Sequence, residues 1–503
     1  MPTKKLTVAH AAASSKFKHY ALIELNTRNK IVFKRENVLA FLRDRGYFLY
    51  RTSPKDYNFV RVINNIVKIV GKKDVLDEVR NFIKANEDAF LYQEFLDGLG
   101  KWFPENFFLS MDETDVQIRR DTRDTMQVYF INTIVRVTKT QITTFPYTEL
   151  DGYIWESQII QREFTYITEE EIDTSHDFSR FCWNISAKDT NRLLKLCCAL
   201  GYLIHNYKNP AVIPAVILND EVKSDNPEGG TGKGLLGKAL KYFISTVRID
   251  GKVFDFSKSF GFSRVNDDTK LIFFDDVNKK FPFDKLFSTL SEGIITERKG
   301  LQETDLGFEN SPKTLISSNY VMTGSGNSNN RRRHEIEIAQ YYSESFKPDQ
   351  EFGRLMFNEW ELEDWNKFDN YLIQCGQLFL QKGLIELKTI NIEEKRVTLD
   401  TSHSFIEFMD DYNLTGRIPK QQMFDDFIAK NPKYAKVSWF DRTKLQTWVK
   451  LYCDYKRINV LLEGYDTTKT VRCFRFDLND KIMNSDKYLS EQNKKYEDEN
   501  LPF

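Results

Sequence analysis

Three apolar runs in the middle of the chain predict buried β-strands. Residues 215–218 are apolar throughout, residues 270–277 read K-L-I-F-F-D-D-V, and residues 313–319 read K-T-L-I-S-S-N. Parallel strands that are covered on both faces carry such unbroken apolar runs. After the first run, apolar residues recur at helical spacing from Leu235 to Ile244, which predicts a helix. We therefore expect an α/β domain in this part of the chain.

The remaining patterns predict further regions, since a chain of 503 residues is expected to form about three domains. We expect an N-terminal α+β module at residues 1–120 and a helical and β region at residues 121–209. The α/β domain would span residues 210–395, and a charged tail would occupy residues 481–503. Residues 396–480 contain three amphipathic segments and then two β-prone runs, an order typical of a winged helix.

A glycine-rich stretch, N-P-E-G-G-T-G-K-G-L-L at residues 226–236, separates the first predicted strand from the helix. Glycines can adopt backbone angles closed to other residues, so their N–H groups can turn towards phosphate oxygens. The helix N-terminus favours the same anion, and Lys233 would reach the β- and γ-phosphates. The predicted nucleotide-binding residues are Pro227, Glu228, Gly229, Gly230, Thr231, Gly232, Lys233 and Gly234. The alternative is a glycine-rich turn before an ordinary helix.

This stretch departs from the usual phosphate-loop pattern G-x-x-x-x-G-K-[S/T] at two positions. Pro227 replaces the first glycine, and Gly234 replaces the residue whose hydroxyl binds Mg²⁺. Thr231 or a water molecule would then have to supply the missing ligand.

Polar residues follow the other two predicted strands. Asp275 would hold Mg²⁺, directly or through water, and Asp276 would orient and polarise the attacking water. Asn319, at the tip of the neighbouring strand, would sense the γ-phosphate or hold that water. The alternative is a strand that ends in a solvated acidic turn.

Two basic segments complete the candidate chemistry. Residues 291–302 predict a hairpin with Arg298 and Lys299 at its tip, although an ordinary surface hairpin has the same pattern. Arg331, Arg332 and Arg333 precede a β-prone run, and one of them could stabilise the transition-state charge at a neighbouring subunit's ATP. A solvated basic turn or a nucleic-acid patch is the alternative.

The third C-terminal helix is a candidate DNA reader because its outward face carries Arg442 and Lys444. A helical lid or an oligomerisation domain would explain the same pattern, since basic residues on a helix face are common.

Charge and cysteine content narrow the class of protein. The net charge of −1 argues against a non-specific polycation, so a nucleic-acid site must be a local patch or a ring assembled from subunits. The six cysteines are scattered without a CxxC pair, which fits a reducing compartment and no zinc framework. No apolar run approaches the ~20 residues of a membrane span. We therefore expect a cytoplasmic protein, in a bacterial host or in the cytosol of another host.

The order and spacing of these motifs resemble superfamily 3 helicases, an AAA+ class of viruses, phages and mobile elements. The resemblance is to the phage and plasmid primase-helicase branch related to the poxvirus primase-helicase, and it covers roughly residues 125–345. It rests on G-G-T-G-K at 229–233, F-F-D-D at 273–276, E-R-K-G at 297–300 and S-P-K-T-L-I-S-S-N at 311–319. Asp276 stands where many relatives have glutamate.

The resemblance implies an AAA+-type P-loop ATPase core that uses ATP and Mg²⁺. It also implies a homo-hexameric ring with ATP between neighbouring subunits and an arginine finger from Arg331–Arg333. The hairpin carrying Lys299 would grip single-stranded DNA in the channel and move it 3′ to 5′. Replication proteins of the phage or host are further implied partners.

Two other functions remain open from the residues alone. A P-loop ATPase ring could act as a DNA-bound loader, a switch or a defence assembly without unwinding. A small-molecule kinase is the weaker alternative, because it explains neither Asn319 nor the arginine cluster. No site for primase chemistry is evident in the sequence.

Overall fold

The computed structural model describes residues 20–28, 30–52, 57–167, 176–221, 230–258, 260–297, 304–322, 327–387, 392–465 and 471–477. The chain has a mixed α/β fold, as its sequence predicts. The predictions for Pro227, Glu228, Gly229, Arg298, Lys299 and the tail at 481–503 lie outside the described residues. None of the described helices is both long and apolar enough to cross a membrane.

The N-terminal region combines short helices with strands. Its elements are β1 (Ile23–Leu25), β2 (Ile31–Phe33), α1 (Arg35–Asp44), β3 (Tyr47–Arg51), β4 (Tyr57–Ile63), β5 (Ile66–Val70), α2 (Lys72–Asn86), α3 (Ala89–Asp97), α4 (Leu99–Trp102), α5 (Glu105–Phe108) and β6 (Glu113–Thr114). Local chemistry sets several boundaries. Asp88, for example, caps α3 by accepting a hydrogen bond from the backbone N–H of Leu91 at 2.8 Å.

The next region supplies strands to two different sheets. Its elements are β7 (Thr125–Phe130), β8 (Ile134–Thr138), β9 (Ile142–Phe145), β10 (Ile154–Trp155), β11 (Ile159–Ile160), α6 (Asp177–Ile185) and α7 (Thr190–Ile204). Strand β10 joins the N-terminal sheet, whose order is β10-β5-β4-β3-β6, whereas β11 joins a four-stranded sheet of order β11-β7-β8-β9. The chain therefore passes from one sheet to the other between two adjacent short strands.

The central region contains the predicted parallel sheet. Its elements are β12 (Ala215–Asp220), α8 (Lys233–Lys241), β13 (Thr246–Asp250), β14 (Leu271–Val277), α9 (Phe287–Ser291), β15 (Gly293–Thr296), β16 (Thr304–Gly307), β17 (Lys313–Ser318), α10 (Asn327–Asn330), β18 (Arg333–Ile338), α11 (Pro348–Phe352) and α12 (Leu362–Lys382). The five strands run in the order β13-β14-β17-β12-β18, and every neighbouring pair is parallel. The three apolar runs therefore form its three middle strands.

Both faces of this sheet are covered. Val216 and Leu218 of β12 face a large core with α6, α7, α8 and α12, whereas Ala215 and Ile217 face a second core. The middle strands are therefore buried on both faces, whereas the edge strand β13 is partly exposed.

The helical side of the sheet depends on close contact between α7 and α12. A Cβ atom added at Gly201 of α7 would lie 2.1 Å from the carbonyl oxygen of Cys375 in α12. A buried ion pair also links this helical layer to the four-stranded sheet. Arg162, which follows β11, pairs with Asp369 of α12 and donates to the carbonyl oxygen of Tyr242 at 3.2 Å. The region before the central sheet is thus packed into the same core.

The C-terminal region is a separate helical and β unit. Its elements are α13 (Ile392–Asp400), α14 (His403–Asp411), β19 (Arg417–Pro419), α15 (Lys420–Lys430), α16 (Arg442–Lys456), β20 (Asn459–Tyr465) and β21 (Arg472–Asp477). The strands form an antiparallel sheet in the order β19-β21-β20. Phe405, Phe427 and Trp448 pack together in a core of its own.

We expect Gly201→Ala to destabilise the protein by about 1–3 kcal/mol, because the new methyl group collides with backbone that cannot move away. The matched control is Gly100→Ala in α4, where a Cβ atom meets nothing within 4 Å. That substitution should be neutral or stabilising by up to ~1 kcal/mol. Urea denaturation of both variants measures the difference, and equal midpoints would show that α7 and α12 do not approach this closely.

Candidate functional site

The predicted site residues that lie closest to one another are at the carboxyl end of the parallel sheet. Lys233 comes after β12, Asp275 and Asp276 lie in β14, and Asn319 follows β17. Strand β17 lies between β12 and β14 in the sheet. From β12 the chain continues to β13 at one edge of the sheet, and from β17 it continues to β18 at the opposite edge. Crevices at such diverging strand ends are the usual ligand sites of open α/β sheets.

The described part of the glycine-rich loop has the backbone angles that the sequence predicts. Gly230 and Gly232 both have φ of +100°, a region that side chains strongly disfavour. Gly232 also forms the N-cap of α8, and a Cβ atom there would lie 2.7 Å from the ring of Phe181. Gly234 differs, because a Cβ atom at this position meets nothing within 4 Å. The first turn of α8 therefore has room for a larger residue.

Lys233 is buried at the start of α8 and is held by an acid from the end of β12. Its ammonium group pairs with Oδ1 of Asp220 and donates to Oγ1 of Thr231 at 3.1 Å. Thr231 in turn donates to the same oxygen of Asp220 at 2.6 Å. Lys233 and Asp220 are only 8% and 4% exposed. Burial lowers the pKa of Lys233, and the nearby carboxylates, Asp220 first, oppose that shift.

The contact with Asp220 leaves one carboxylate oxygen unsatisfied. Oδ2 of Asp220 is buried and accepts no hydrogen bond from the described residues, a state that costs free energy. Asp220 is not among the site residues predicted from the sequence. The pattern that predicted Asp275, an acid at the end of an apolar strand, also occurs at Asp220.

Asp275 and Asp276 lie at an irregularity in the pairing of β14 with β17, between Phe274 and Val277. Ser317 of β17 joins them: its hydroxyl donates to Oδ1 of Asp275 at 2.8 Å and accepts from the N–H of Asp276 at 2.8 Å. Ser317 therefore holds the carboxylate of Asp275 and the backbone of Asp276. Ser317 belongs to the motif at residues 311–319, but its contact with Asp275 depends on the strand register, which the sequence does not give.

The two acids also differ in exposure and in basic neighbours. The Asp275 side chain is 17% exposed and accepts a hydrogen bond from Nε of Arg248 at 2.8 Å. The Asp276 side chain is 42% exposed, and Lys252 lies 2.5 Å from its Oδ2. Asp276 also has φ of +56°, a strained angle that clusters at functional sites. The amide of Asn319 lies 3.5 Å from Oδ1 of Asp276, at the outer limit of a hydrogen bond.

The arginine cluster lies at the opposite end of the sheet. Arg333 is the first residue of β18 and is paired with Ala215, the first residue of β12. At about 3.3 Å per residue, the strand separates it from the carboxyl end by roughly 16 Å. Arg332 and Arg333 are buried, with their guanidinium groups 4.5 Å and 4.8 Å from phenylalanine rings. Burial lowers the pKa of Arg333 to about 10, and only Arg331 is exposed.

The predicted DNA-binding elements lie elsewhere again. Strands β15 and β16 pair antiparallel as a hairpin, and its tip is outside the described residues. Helix α16 begins at Arg442, which is exposed, whereas Lys444 is half-buried. Asp441 caps this helix by accepting from the N–H of Lys444 at 2.8 Å. The strand-end cluster and the basic elements are therefore separate parts of the subunit.

The described residues at the strand ends could bind Mg²⁺ together with a nucleotide, but they do not form a metal site by themselves. No group of three His, Cys, Asp or Glu side chains that could hold a metal occurs in the described part of the chain. Mg²⁺ that accompanies a nucleotide needs only one or two carboxylates, with phosphates and water as the other ligands. Asp275, next to the hydroxyl of Ser317, offers such oxygen ligands.

Comparisons with known proteins give a fold likeness of low similarity. No protein-family model and no curated protein matches the chain. Two apo structures of the NrS-1 C-terminal region are 13% identical to it. One has a TM-score of 0.39, with 88% of this chain and 99% of that chain covered; the other has 0.43, with 87% and 98%. TM-scores below 0.5 assign no function to this chain, and the geometry of the site is the remaining source of information.

We expect the Lys233–Asp220 contact to appear as a coupling free energy of about 1.5–3 kcal/mol, because charged hydrogen bonds contribute that much. A double-mutant cycle with Asp220→Asn and Lys233→Met, measured by denaturation without nucleotide, gives this value. The exposed pair Lys430–Asp411, 53% and 73% exposed, serves as control and should be nearly additive. Additive effects at Lys233 and Asp220 would contradict the contact.

Proposed function

We propose that this chain is an ATP-hydrolysing motor of the AAA+ superfamily 3 helicase type. It would assemble as a homo-hexameric ring and translocate on single-stranded DNA during replication of a phage or mobile element. The observation that carries the proposal is the convergence of Lys233, Asp275, Asp276 and Asn319 at neighbouring strand ends of one parallel sheet. Each has a side chain suited to one part of phosphoryl transfer.

Nucleotide binding would begin with an exchange of partners at Lys233. Its ammonium group is paired with Asp220, and the β- and γ-phosphates of ATP offer more negative charge in the same place. Gly230 and Gly232 have the angles that turn backbone N–H groups towards an anion. The exchange leaves the buried carboxylate of Asp220 without its cation, a cost in free energy that the bound phosphates must offset.

Hydrolysis would divide between the two acids according to their exposure. Asp275, less exposed and next to the Ser317 hydroxyl, would hold Mg²⁺. When bound, this ion neutralises charge on the phosphate oxygens. Asp276, more exposed and near Asn319, would polarise the water that attacks the γ-phosphorus as the bond to ADP breaks. The ion pairs with Arg248 and Lys252 must open for both roles.

The position of the arginine cluster supports an assembly of subunits. Arg331 is exposed but follows the end of the sheet remote from Lys233, roughly 16 Å away along the strands. It cannot reach ATP in its own subunit without a large rearrangement. A neighbouring subunit in a ring would bring Arg331 to the next site, where it would stabilise transition-state charge.

The C-terminal unit supports DNA binding. Three helices, α14 to α16, and a three-stranded antiparallel sheet have the composition of a winged helix, in which the last helix reads DNA. Arg442 and Lys444 would contact phosphates there. The resemblance assigns a second contact, in the channel, to Arg298 and Lys299.

A second function is favoured by two features of the site. Lys233 is held by Asp220, and Gly234 lacks the hydroxyl that would bind Mg²⁺. Both features favour slow turnover, so a ring that acts as a DNA-bound loader, switch or defence assembly is the alternative.

ATP hydrolysis by the purified protein, with and without single-stranded DNA, tests the motor. We expect DNA to stimulate the rate, and Lys233→Ala to reduce it by about 10²–10³-fold, the usual loss for one electrostatic group. Turnover that ignores DNA would favour the switch or loader. Normal hydrolysis by Lys233→Ala would contradict the site itself.

The vacant space at Gly234 allows a gain-of-function test. Gly234→Ser restores a hydroxyl at the usual metal-binding position, and we expect it to lower the Mg²⁺ concentration for half-maximal hydrolysis about tenfold. Gly234→Ala is the matched control, since it changes the helix backbone in the same way without the hydroxyl. Equal Mg²⁺ dependence of the two variants would show that this position does not face the metal.

A further inference from the structure

One tryptophan of the C-terminal unit is mostly exposed, whereas the other tryptophans of the chain are buried or half-buried. The chain has seven tryptophans, all of which lie in the described residues, and Trp439 alone among them is mostly exposed, at 57%. Exposing so much indole surface forgoes a large hydrophobic stabilisation. Tryptophans in such positions are enriched where proteins bind a partner.

The backbone around Trp439 is held in place by the core beneath it. Its neighbour Phe440 is buried and packs against Trp448 at 4.8 Å between ring centroids. The Trp439 ring meets Phe440 edge-on at 5.9 Å and Tyr434 edge-on at 6.4 Å. The next residue, Asp441, caps α16. Trp448 also contacts the indole, at 6.2 Å between ring centroids, so the ring is held on its inner side while more than half of its surface stays exposed.

The stretch of chain that carries this indole is basic, and Lys433 lies over the ring of Tyr434, which contacts Trp439. Residues 433–450 contain five cations and a single acid, Asp441, and that acid is engaged as a helix cap. The cations are Lys433, Lys436, Arg442, Lys444 and Lys450. In the described part of the chain none of the five forms an ion pair with a carboxylate. Lys444 lies close enough to Asp400 for their charges to interact. In a chain of net charge −1, the stretch is nevertheless locally rich in positive charge.

We propose that Trp439, with Lys433 and Lys436 beside it, is a stacking surface for the unpaired bases of single-stranded nucleic acid. A flat exposed ring among cations is the combination by which proteins bind single strands without sequence preference. A duplex keeps its bases stacked on one another, so it could use the cations but not the indole. An acidic peptide would likewise leave the ring without a partner of its own shape.

This inference deepens the proposed function, because it assigns a contact with single strands to the C-terminal unit outside the ring channel. It also changes the expected role of α16. Arg442 at the start of that helix would hold the phosphates of the strand whose base stacks on Trp439, instead of reading a major groove.

Binding of full-length protein to a labelled oligo(dT) of about 20 nucleotides, longer than one binding site of ~4–16, tests the proposal. Fluorescence anisotropy without nucleotide measures the affinity, and a blunt duplex of the same length is the comparison. We expect Trp439→Ala to weaken oligo(dT) binding about 5- to 150-fold, since one stacked base contributes ~1–3 kcal/mol. Duplex binding should stay within about twofold.

Two controls separate stacking from a general loss of structure. Trp439→Phe keeps an aromatic face and should retain most of the affinity for oligo(dT). Phe90→Ala removes an aromatic ring of similar exposure, 58%, from the N-terminal region and should not change the affinity for oligo(dT).

The two lysines are tested by the salt dependence of binding. Lys433→Gln combined with Lys436→Gln should reduce the log–log slope of oligo(dT) affinity against salt concentration by about 1.4, at ~0.7 for each phosphate contact.

The proposal is overturned if Trp439→Ala binds oligo(dT) like the unaltered protein, or if it loses duplex binding equally. It is also overturned if the unaltered protein binds no oligo(dT). The ATPase proposal is tested separately, because the affinities are measured without nucleotide and Trp439→Ala should keep its DNA-independent hydrolysis rate. A DNA-independent ATPase whose Trp439→Ala variant loses oligo(dT) binding would end the motor proposal and leave this one standing.

Discussion

Burial of the parallel sheet on both faces is the constraint on which the rest of the structure depends. Alternate residues of β12 enter two different cores, so side chains along the strands are committed to packing. In the middle strands β12, β14 and β17, charged residues lie towards the strand ends, because an unpaired charge in either core would be strongly destabilising. The acids of the candidate site are at the carboxyl end of these strands.

Two buried ion pairs in this core differ in what their geometry allows. Asp369 is fully buried and Arg162 nearly so. Burial raises the pKa of Asp369 to about 6, and Arg162 opposes the shift. Arg162 also stacks 4.7 Å from the Trp365 ring, so this pair is fixed by several contacts. The side chains of Lys233 and Asp220 are buried to a similar degree, at 9% and 3% exposed, but they lie at the carboxyl end of the sheet and one carboxylate oxygen is unsatisfied. The first pair joins two layers of the fold, whereas the second would have to open for Lys233 to bind a nucleotide under the proposed function.

The two ends of the sheet have different surroundings, and this difference supports the proposed assembly of subunits. The carboxyl end has acids that pair with exposed basic side chains, Arg248 and Lys252. The amino end has Arg331 exposed next to two arginines held over aromatic rings. Beyond it, the C-terminal unit is tied to β18 by the ion pair of Arg396 with Glu335. Under the proposed function, this ion pair is a physical link between the central sheet and the C-terminal unit.

The sequence by itself determined the local features of this protein. The apolar runs became β12, β14 and β17, Gly232 adopted the angle that only glycine favours, and the acids followed their strand. These features depend on neighbouring residues, whose backbone angles and burial pattern are readable in order. Tertiary structure alone decided which strands are neighbours, and with it that Asp220 holds Lys233, that Ser317 joins Asp275 to Asp276, and that Arg333 lies at the far end. Strand pairing joins residues that are distant along the chain, so no local pattern encodes it.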